Sequence, residues 1–268
     1  MRNRYMRQSF LGPDAQPTFK RTCVGVIGQG GGGSHIVQQL VHVGFENYRL
    51  FDFDKVEKTN LNRMVGATEA DYKNKTRKID VAERVIRGVI PKAKIKSFNT
   101  KWQNVADELR NCDIVFGCVD GFSERNQLEA ATRRYLTPYI DIGLDVHPSK
   151  NEPPRMTGQV ILSMPGHLCM WCMGFLTDKK LGIEAKKYGV AGNNPQVVWG
   201  NGVLASSAIG IAVDLLTNWT KSLNRAVFIS YDANTHSLTE DIRLTFLRNK
   251  TCPHYPLEDA GSPQFRAV

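Results

Sequence analysis

Thr22-Cys23-Val24-Gly25-Val26-Ile27-Gly28 runs straight into Gln29-Gly30-Gly31-Gly32-Gly33, and Ser34 to Val43 follows. The first seven residues form a compact apolar run of the kind that makes a buried strand. The last ten place Ile36, Val37, Leu40 and Val41 on one side of a helix. Gly28, Gly30 and Gly33 between them fit G-x-G-x-x-G in the strand-to-helix context that this motif requires. Side chains there would keep the backbone away from a phosphate, and the helix N-terminus offers free N–H groups to an anion. Asp52 stands at the end of the next apolar run, Tyr48 to Asp54, where an acid can hold a ribose hydroxyl. The stretch therefore predicts a nucleotide site. It does not separate a dehydrogenase from an ATP enzyme.

Working outward, apolar runs and helical patterns alternate to about residue 145. Lys78 to Ile90 is a predicted helix stopped by Pro91, and Ile95 to Asn99 is a strand. Val105 to Arg110 is a short helix, Asp113 to Asp120 a strand, Ser123 the opening of a further helix, and Pro138 to Gly143 a strand. This order predicts an α/β protein, a mostly parallel sheet with helices on both faces. Gly158 to Met164, Ala226 to Ala233 and Ser237 to Leu247 read as strands with shorter links, so the second half is expected to be mixed or antiparallel.

Composition sets the outer limits. The chain has 268 residues, 41% apolar and 23% charged, enough for one sizeable core. Its formal charge of +9 favours an anionic partner such as nucleotide phosphates, nucleic acid or an acidic protein. No apolar run follows the basic N-terminus and none reaches a membrane span. Val197 to Trp219 comes nearest and reads as a one-sided buried helix, at the core or at a dimer interface. Cytoplasmic residence is the expectation. Of six cysteines, two sit in predicted strands with apolar neighbours, which fits buried free thiols, and Cys112 and Cys118 lie in or beside a buried strand. Cys169-Met170-Trp171-Cys172 is a CxxC, a spacing that binds zinc from a tight turn.

Asp52-Phe53-Asp54-Lys55-Val56, followed by Thr59-Asn60-Leu61-Asn62-Arg63, resembles the D-x-D-x-V and S/T-N-x-x-R pattern of the ThiF/MoeB/HesA and ubiquitin-activating-enzyme family. Arg4-Tyr5-Met6-Arg7-Gln8, Lys78, Val119-Asp120 with Arg125-Asn126, Gly158-Gln159-Val160 and the CxxC occur in that family's order, over roughly residues 4 to 255. The resemblance implies a Rossmann-like fold in a single adenylation domain. Residues 1–20 would be an N-terminal arm, 21–146 the nucleotide-binding half, 147–255 the partner, zinc and dimer half, and 256–268 a tail. It implies ATP-dependent adenylation of the C-terminal carboxylate of a small ubiquitin-like or sulfur-carrier protein. Two alternatives stand beside it: activation of a carboxylate on a modified tRNA base and, more remotely, an NAD-dependent oxidoreductase.

Residue by residue, Gly28, Gly30, Gly33, Asp52, Asp54 and Asn60 would bind nucleotide, Arg63 and Lys78 the phosphates, and Asp120 a Mg²⁺ ion. Arg7 would act in trans across a homodimer. The family usually closes its zinc site with a second CxxC, but here the corresponding stretch is Cys252-Pro253-His254-Tyr255. Three outcomes are open: His254 completes a three-Cys, one-His site, the site is three-coordinate or filled otherwise, or zinc is absent. Many relatives also carry a cysteine in the loop after the CxxC that accepts the activated protein. Residues 173–196 contain none. Either the chemistry stops at the acyl-adenylate, or a hydroxyl (Thr177, Ser206 or Ser207) or a downstream acceptor protein takes the acyl group.

Overall fold

The computed structural model describes residues 4–149, 151–186, 195–221, 226–247 and 250–256. Helix α1 (Ala15–Arg21) leads into strand β1 (Cys23–Ile27), and the glycine turn into α2 (Gly31–Val43). Strand β2 (Asn47–Phe51) is followed by the short α3 (Glu69–Lys73), then α4 (Lys78–Val89) and β3 (Lys94–Phe98). Strand β4 (Ile114–Gly117), α5 (Phe122–Arg134) and β5 (Tyr139–His147) complete the first half. Strand β6 (Arg155–Ser163), α6 (Asp178–Lys186), α7 (Val198–Thr217), β7 (Val227–Asp232), β8 (Ser237–Glu240) and α8 (Arg243–Leu247) make the second.

All eight strands share one sheet in the order β3-β2-β1-β4-β5-β6-β7-β8. Strands β1 to β5 are parallel, and β5 to β8 pair antiparallel. This is the expected α/β architecture. The parallel part needs helical crossovers, whereas β6 returns directly along nine paired positions from Tyr139↔Ser163 to His147↔Arg155.

Alternation along the strands sends side chains to two cores. Val24, Val26, Leu50, Phe116 and Ile140 pack beneath α1, α2, α4 and α7. Phe51, Val115, Tyr139, Ile161 and Phe228 face the opposite way, toward α5 and the Leu168–Leu176 segment. Helix α7 belongs to the first core: Leu204, Ala205, Ala208 and Ala212 are fully buried there. At 20 residues it does have the length and apolar composition of a membrane span, contrary to the sequence expectation, but half of it is buried within the chain.

Other boundaries also move. The arm expected over residues 1–20 is only partly an arm, because α1 seals the first core with Ala15, Thr18 and Phe19. Residues 243–247, read as strand, form α8, since Asp241 accepts the backbone N–H of Arg243 at the helix start. The helix expected at 105–110 is a kinked 3-10 run over Trp102–Asn111, broken at Val105. Lys78 opens α4, as read, and the helix ends at Val89, one residue before the expected Ile90. Residues 257–268 lie outside the described residues, so the expected tail is represented by Pro256 alone.

Candidate nucleotide cleft and metal centre

The sheet order reverses between β1 and β4, and a cleft of about 1240 Å³ opens at the C-terminal ends of these strands. Such a switch point is where open α/β sheets bind ligands. Gly28 leaves β1 with φ +84°, and a Cβ there would lie 2.5 Å from the Cys118 carbonyl oxygen. Gly33 faces the Gly28 carbonyl so closely that any Cβ would overlap it. These two glycines hold the turn against its own backbone. Gly30 differs: its Cβ position meets open space on the cleft side, so its backbone is accessible to a ligand.

Asp52, at the end of β2, accepts the N–H of Gln29 at 2.6 Å and that of Asp54 at 2.7 Å. Burial raises its carboxyl above the usual Asp range, and the Gln29 bond and the Lys78 charge offset part of that. Lys78 is pinned twice to Asp54. Its Nζ lies 2.8 Å from Oδ2, and its backbone N–H donates to the Asp54 carbonyl at 2.9 Å. With its side chain only 13% exposed, it is a fixed cation beside the cleft. Asn60 lines the cleft while its Oδ1 accepts the Glu57 N–H at 2.9 Å, which holds the 3-10 turn Lys58–Asn60. Half-buried Arg63 stands on that turn and donates to the Thr59 carbonyl and, at 3.1 Å, to Asn62 Oδ1.

Asp120 lies just beyond β4, exposed, and its Oδ1 accepts the Gln196 amide at 3.0 Å. Its carbonyl accepts the Arg125 guanidinium at 3.0 Å. Arg125 is buried, and pairs with Asp141 at 3.0 Å. Asp141 also accepts the Tyr139 hydroxyl and the Gln159 amide. Arg125 thus sits on a rigid polar floor below Asp120, a function not read from the sequence.

Gly28, Gly30, Asp52, Asp54, Asn60, Arg63, Lys78 and Asp120 all line this one cleft. Gly33 shapes the turn from behind. Arg7 is elsewhere. It is exposed in the 3-10 segment Met6–Leu11, which docks on the far end of α2 through Gln8 Nε2 to the Val43 carbonyl, 2.7 Å. Twelve residue steps of α2, roughly 18 Å, separate that end from Gly31.

Sequence reading also missed what closes the cleft from the second half. Glu184 of α6 accepts the backbone N–H of Phe122 at 3.0 Å and of Ser123 at 2.7 Å, capping α5. Gln196 reaches Asp120, and Asn201 of α7 approaches Gly31. None of the three belongs to a local motif; only the fold brings them to the glycine turn. Among the hydroxyls considered as acyl acceptors, Ser206 and Ser207 donate back into α7, to the Gly202 and Val203 carbonyls. Thr177 Oγ1 accepts the Lys180 N–H at 3.3 Å. Residues 187–194 of the same stretch lie outside the described residues.

On the other core, Cys169, Cys172, Cys252 and His254 bring their ligand atoms within 4.8 Å of one another. Cys169 Sγ to Cys172 Sγ is 3.6 Å, and Cys172 Sγ to Cys252 Sγ 3.7 Å. Both Cys169 Sγ and Cys172 Sγ lie 3.4 Å from His254 Nδ1. Around a tetrahedral zinc, the bond lengths give S···S edges of about 3.8 Å and S···N edges of about 3.6 Å. Donor set and spacing therefore fit zinc, with His254 in the fourth place. Tyr255 is turned away from this role: its ring packs under the Arg133 guanidinium, 5.7 Å from centroid to Cζ.

Fold and site together define an α/β protein with a cation-lined cleft at the switch point of its sheet and a Cys₃His cluster. The ThiF family model matches residues 2–254, and the chain belongs to that family. It is 31% identical to the molybdopterin-synthase adenylyltransferase of Haemophilus influenzae over 142 residues, 51% of this chain and 58% of that protein. With the sulfur carrier protein adenylyltransferase of Thermus thermophilus it shares 32% over 46% of each chain. The chain thus matches about half the length of these curated relatives. The Escherichia coli molybdopterin-synthase adenylyltransferase aligns more fully, at 27% over 93% of this chain and 94% of that protein. The crystal structure of E. coli MccB with ATP has the same fold, with a TM-score of 0.71 at 21% identity over 90% of this chain and 71% of that one.

Proposed function

We propose that the protein binds ATP and adenylates the C-terminal carboxylate of a small sulfur-carrier or ubiquitin-like protein, releasing pyrophosphate. The observation that carries this reading is the convergence of Arg63, Lys78 and Asp120 on the cleft that Gly30 opens. Names among the relatives support it: molybdopterin-synthase, sulfur carrier protein and ThiS adenylyltransferases, and ubiquitin-like modifier-activating enzyme 5.

A nucleotide fits the residues present. The Gly30 backbone is open to phosphate, and Asp52 stands where a ribose hydroxyl would donate. Asp120 offers the oxygen donor that Mg²⁺ takes. Bound there, Mg²⁺ would neutralise phosphate oxygens. The chain's own side chains do the rest. A carboxylate oxygen of the small protein attacks the α-phosphorus of ATP, and the bond from that phosphorus to the bridging oxygen breaks. Pyrophosphate leaves carrying the electron pair. The attacking carboxylate is already ionised, so no general base is required. Lys78 and Arg63 offset charge on the phosphates, and the rigid Asp54–Lys78 pair fixes where that charge acts.

Ser206 and Ser207 are hydrogen-bonded into their helix, and burial raises the Cys118 thiol at the cleft well above its ordinary range. In this reading the chemistry on the chain ends at the acyl-adenylate, and a downstream acceptor takes the acyl group. Cys169, Cys172, Cys252 and His254 hold a structural zinc ion. Arg7, remote from its own cleft, acts in the neighbouring subunit's cleft of a homodimer. Residence in the cytoplasm belongs to the same reading.

ATP–pyrophosphate exchange with Mg²⁺ tests it, run against small proteins ending in glycine, with a tRNA pool in parallel and Asp120→Ala as the control. Exchange that needs a small protein and disappears in the variant is the expected result. Exchange with tRNA alone would transfer the reading to a tRNA carboxylate, for which the +9 charge offers a rationale. No exchange with either acceptor would end the adenylation reading.

A further inference from the structure

Two helices begin at the glycine turn. Gly31 is the first residue of α2, and α7 starts at Val198, so Asn201 lies in its first turn. A Cβ built on Gly31 would sit 2.5 Å from Asn201 Nδ2, 3.2 Å from Gln196 Oε1 and 3.3 Å from Arg63 Cδ. The Asn201 amide therefore lies directly over the start of α2, on the wall of the cleft.

Asn201 is only 5% exposed, and its Nδ2 has no hydrogen-bond partner among the described residues. A buried amide nitrogen with two N–H groups and no acceptor is costly, and native proteins rarely leave one so. Its surroundings say what acceptor suits it. The α2 N-terminus directs backbone N–H groups to the same space, and Arg63 stands beside it. A ligand group held there carries negative charge and several acceptor oxygens. Asp52, the ribose-side acid, is on the other side of the turn at Gln29.

We propose that Asn201 is a nucleotide-binding residue whose side-chain amide donates to a phosphate oxygen of ATP at the α2 N-terminus. The inference rests on the ATP reading above and extends it to the second half of the chain. Phosphate is gripped from both halves: by the glycine turn and Arg63 on one side and by the first turn of α7 on the other. Gln196, five residues earlier, ties the same segment to Asp120, so a nucleotide in the cleft would draw α7, Asp120 and the glycine turn into one network.

The test is competition against a fluorescent ATP analogue on the full chain, with ATP, AMP and adenosine as competitors, for the wild type, Asn201→Ala and Asn201→Asp. Loss of a hydrogen bond to a charged group predicts about tenfold weaker ATP and AMP binding in Asn201→Ala. The carboxylate of Asn201→Asp repels phosphate and weakens binding further. Adenosine, which has no phosphate, competes equally with all three proteins. That last result separates a phosphate contact from a packing role, because a disturbed α2–α7 junction would weaken adenosine too. ATP binding equal in all three proteins overturns the inference while leaving the ATP reading intact, and a parallel loss of ATP and adenosine overturns it as well. A wild type that binds no ATP sinks both.

Discussion

Removing zinc should loosen the second core, and the size of the effect can be worked from the cluster. The distances of 3.6 and 3.7 Å between sulfurs and 3.4 Å from sulfur to nitrogen are within about 0.2 Å of the edges of a tetrahedral ZnS₃N site. The largest spacing, up to 4.8 Å, needs at most about 1 Å of closure. Little rearrangement is required, so binding should appear almost wholly as stability. At free zinc one hundredfold above its dissociation constant, binding only to the folded chain adds about 2.7 kcal/mol. For a domain near this size that corresponds to a rise in Tm of about 5–10 °C. Metal analysis of the purified chain should give one zinc per chain. X-ray absorption should show three sulfurs at about 2.3 Å and one nitrogen at about 2.0 Å. Chelation should lower Tm by the stated amount, and zinc, not Mg²⁺, should restore it. Cys172→Ser should abolish zinc binding, and His254→Ala should weaken it. Full zinc content in Cys172→Ser, or an unchanged Tm after complete removal, would refute the argument.

Three further outcomes follow from the cleft and its frame. Lys78→Ala removes a fixed cation and leaves Asp54 unpaired beside the phosphates, so pyrophosphate exchange should fall about 10²–10³-fold, read as kcat/KM for ATP. Gly33→Ala drives a methyl into the Gly28 carbonyl, backbone against side chain with nothing flexible to yield, and should cost about 1–3 kcal/mol in urea unfolding as well as nucleotide binding. Asp241 is held down to about 2 by its hydrogen bonds from Arg243. A depressed carboxylate stabilises above its unfolded pKa, so its contribution should be complete above pH 4 and lost as pH falls from 4 toward 2. With Arg243 45% exposed, about 1 kcal/mol is expected, seen as Tm curves of wild type and Asp241→Asn that differ at pH 6 and converge near pH 2.

How much of this was legible in the sequence depended on whether a signal was local. The glycine turn, Asp52, and the run through Arg63 are local, and the fold carries each to the edge of one cleft. Strand alternation and helical spacing likewise place β1 to β5 and the antiparallel return. Where the reading failed, neighbours distant in sequence decided. Residues 243–247 have strand-like composition, yet Asp241 caps them into a helix and Arg243 reaches the Gly174 carbonyl. Residues 15–21 look polar, but Phe19 stacks on Phe45 at 5.0 Å and turns an arm into a core helix.

The departure at Tyr255 shows the same division. A ligand was missing from the expected second CxxC, and sequence alone left three outcomes. In the fold, the Cys252–His254 segment turns so that the imidazole Nδ1 faces both CxxC sulfurs, while the Trp171 ring stacks against that imidazole at 6.1 Å. Trp171 is itself fixed by its indole N–H, which donates to Asn126 Oδ1 at 2.8 Å on α5, the helix that begins beside Asp120. A histidine one place before the expected cysteine position could not be forecast as the fourth ligand from spacing, because a histidine reaches farther than a cysteine and its orientation is set by what packs on its face. The same contacts join the cluster to the helix beneath the nucleotide cleft. Removing the metal should therefore disturb Asn126 and α5 before it disturbs the parallel half of the sheet, an order that hydrogen exchange on the chelated protein would resolve.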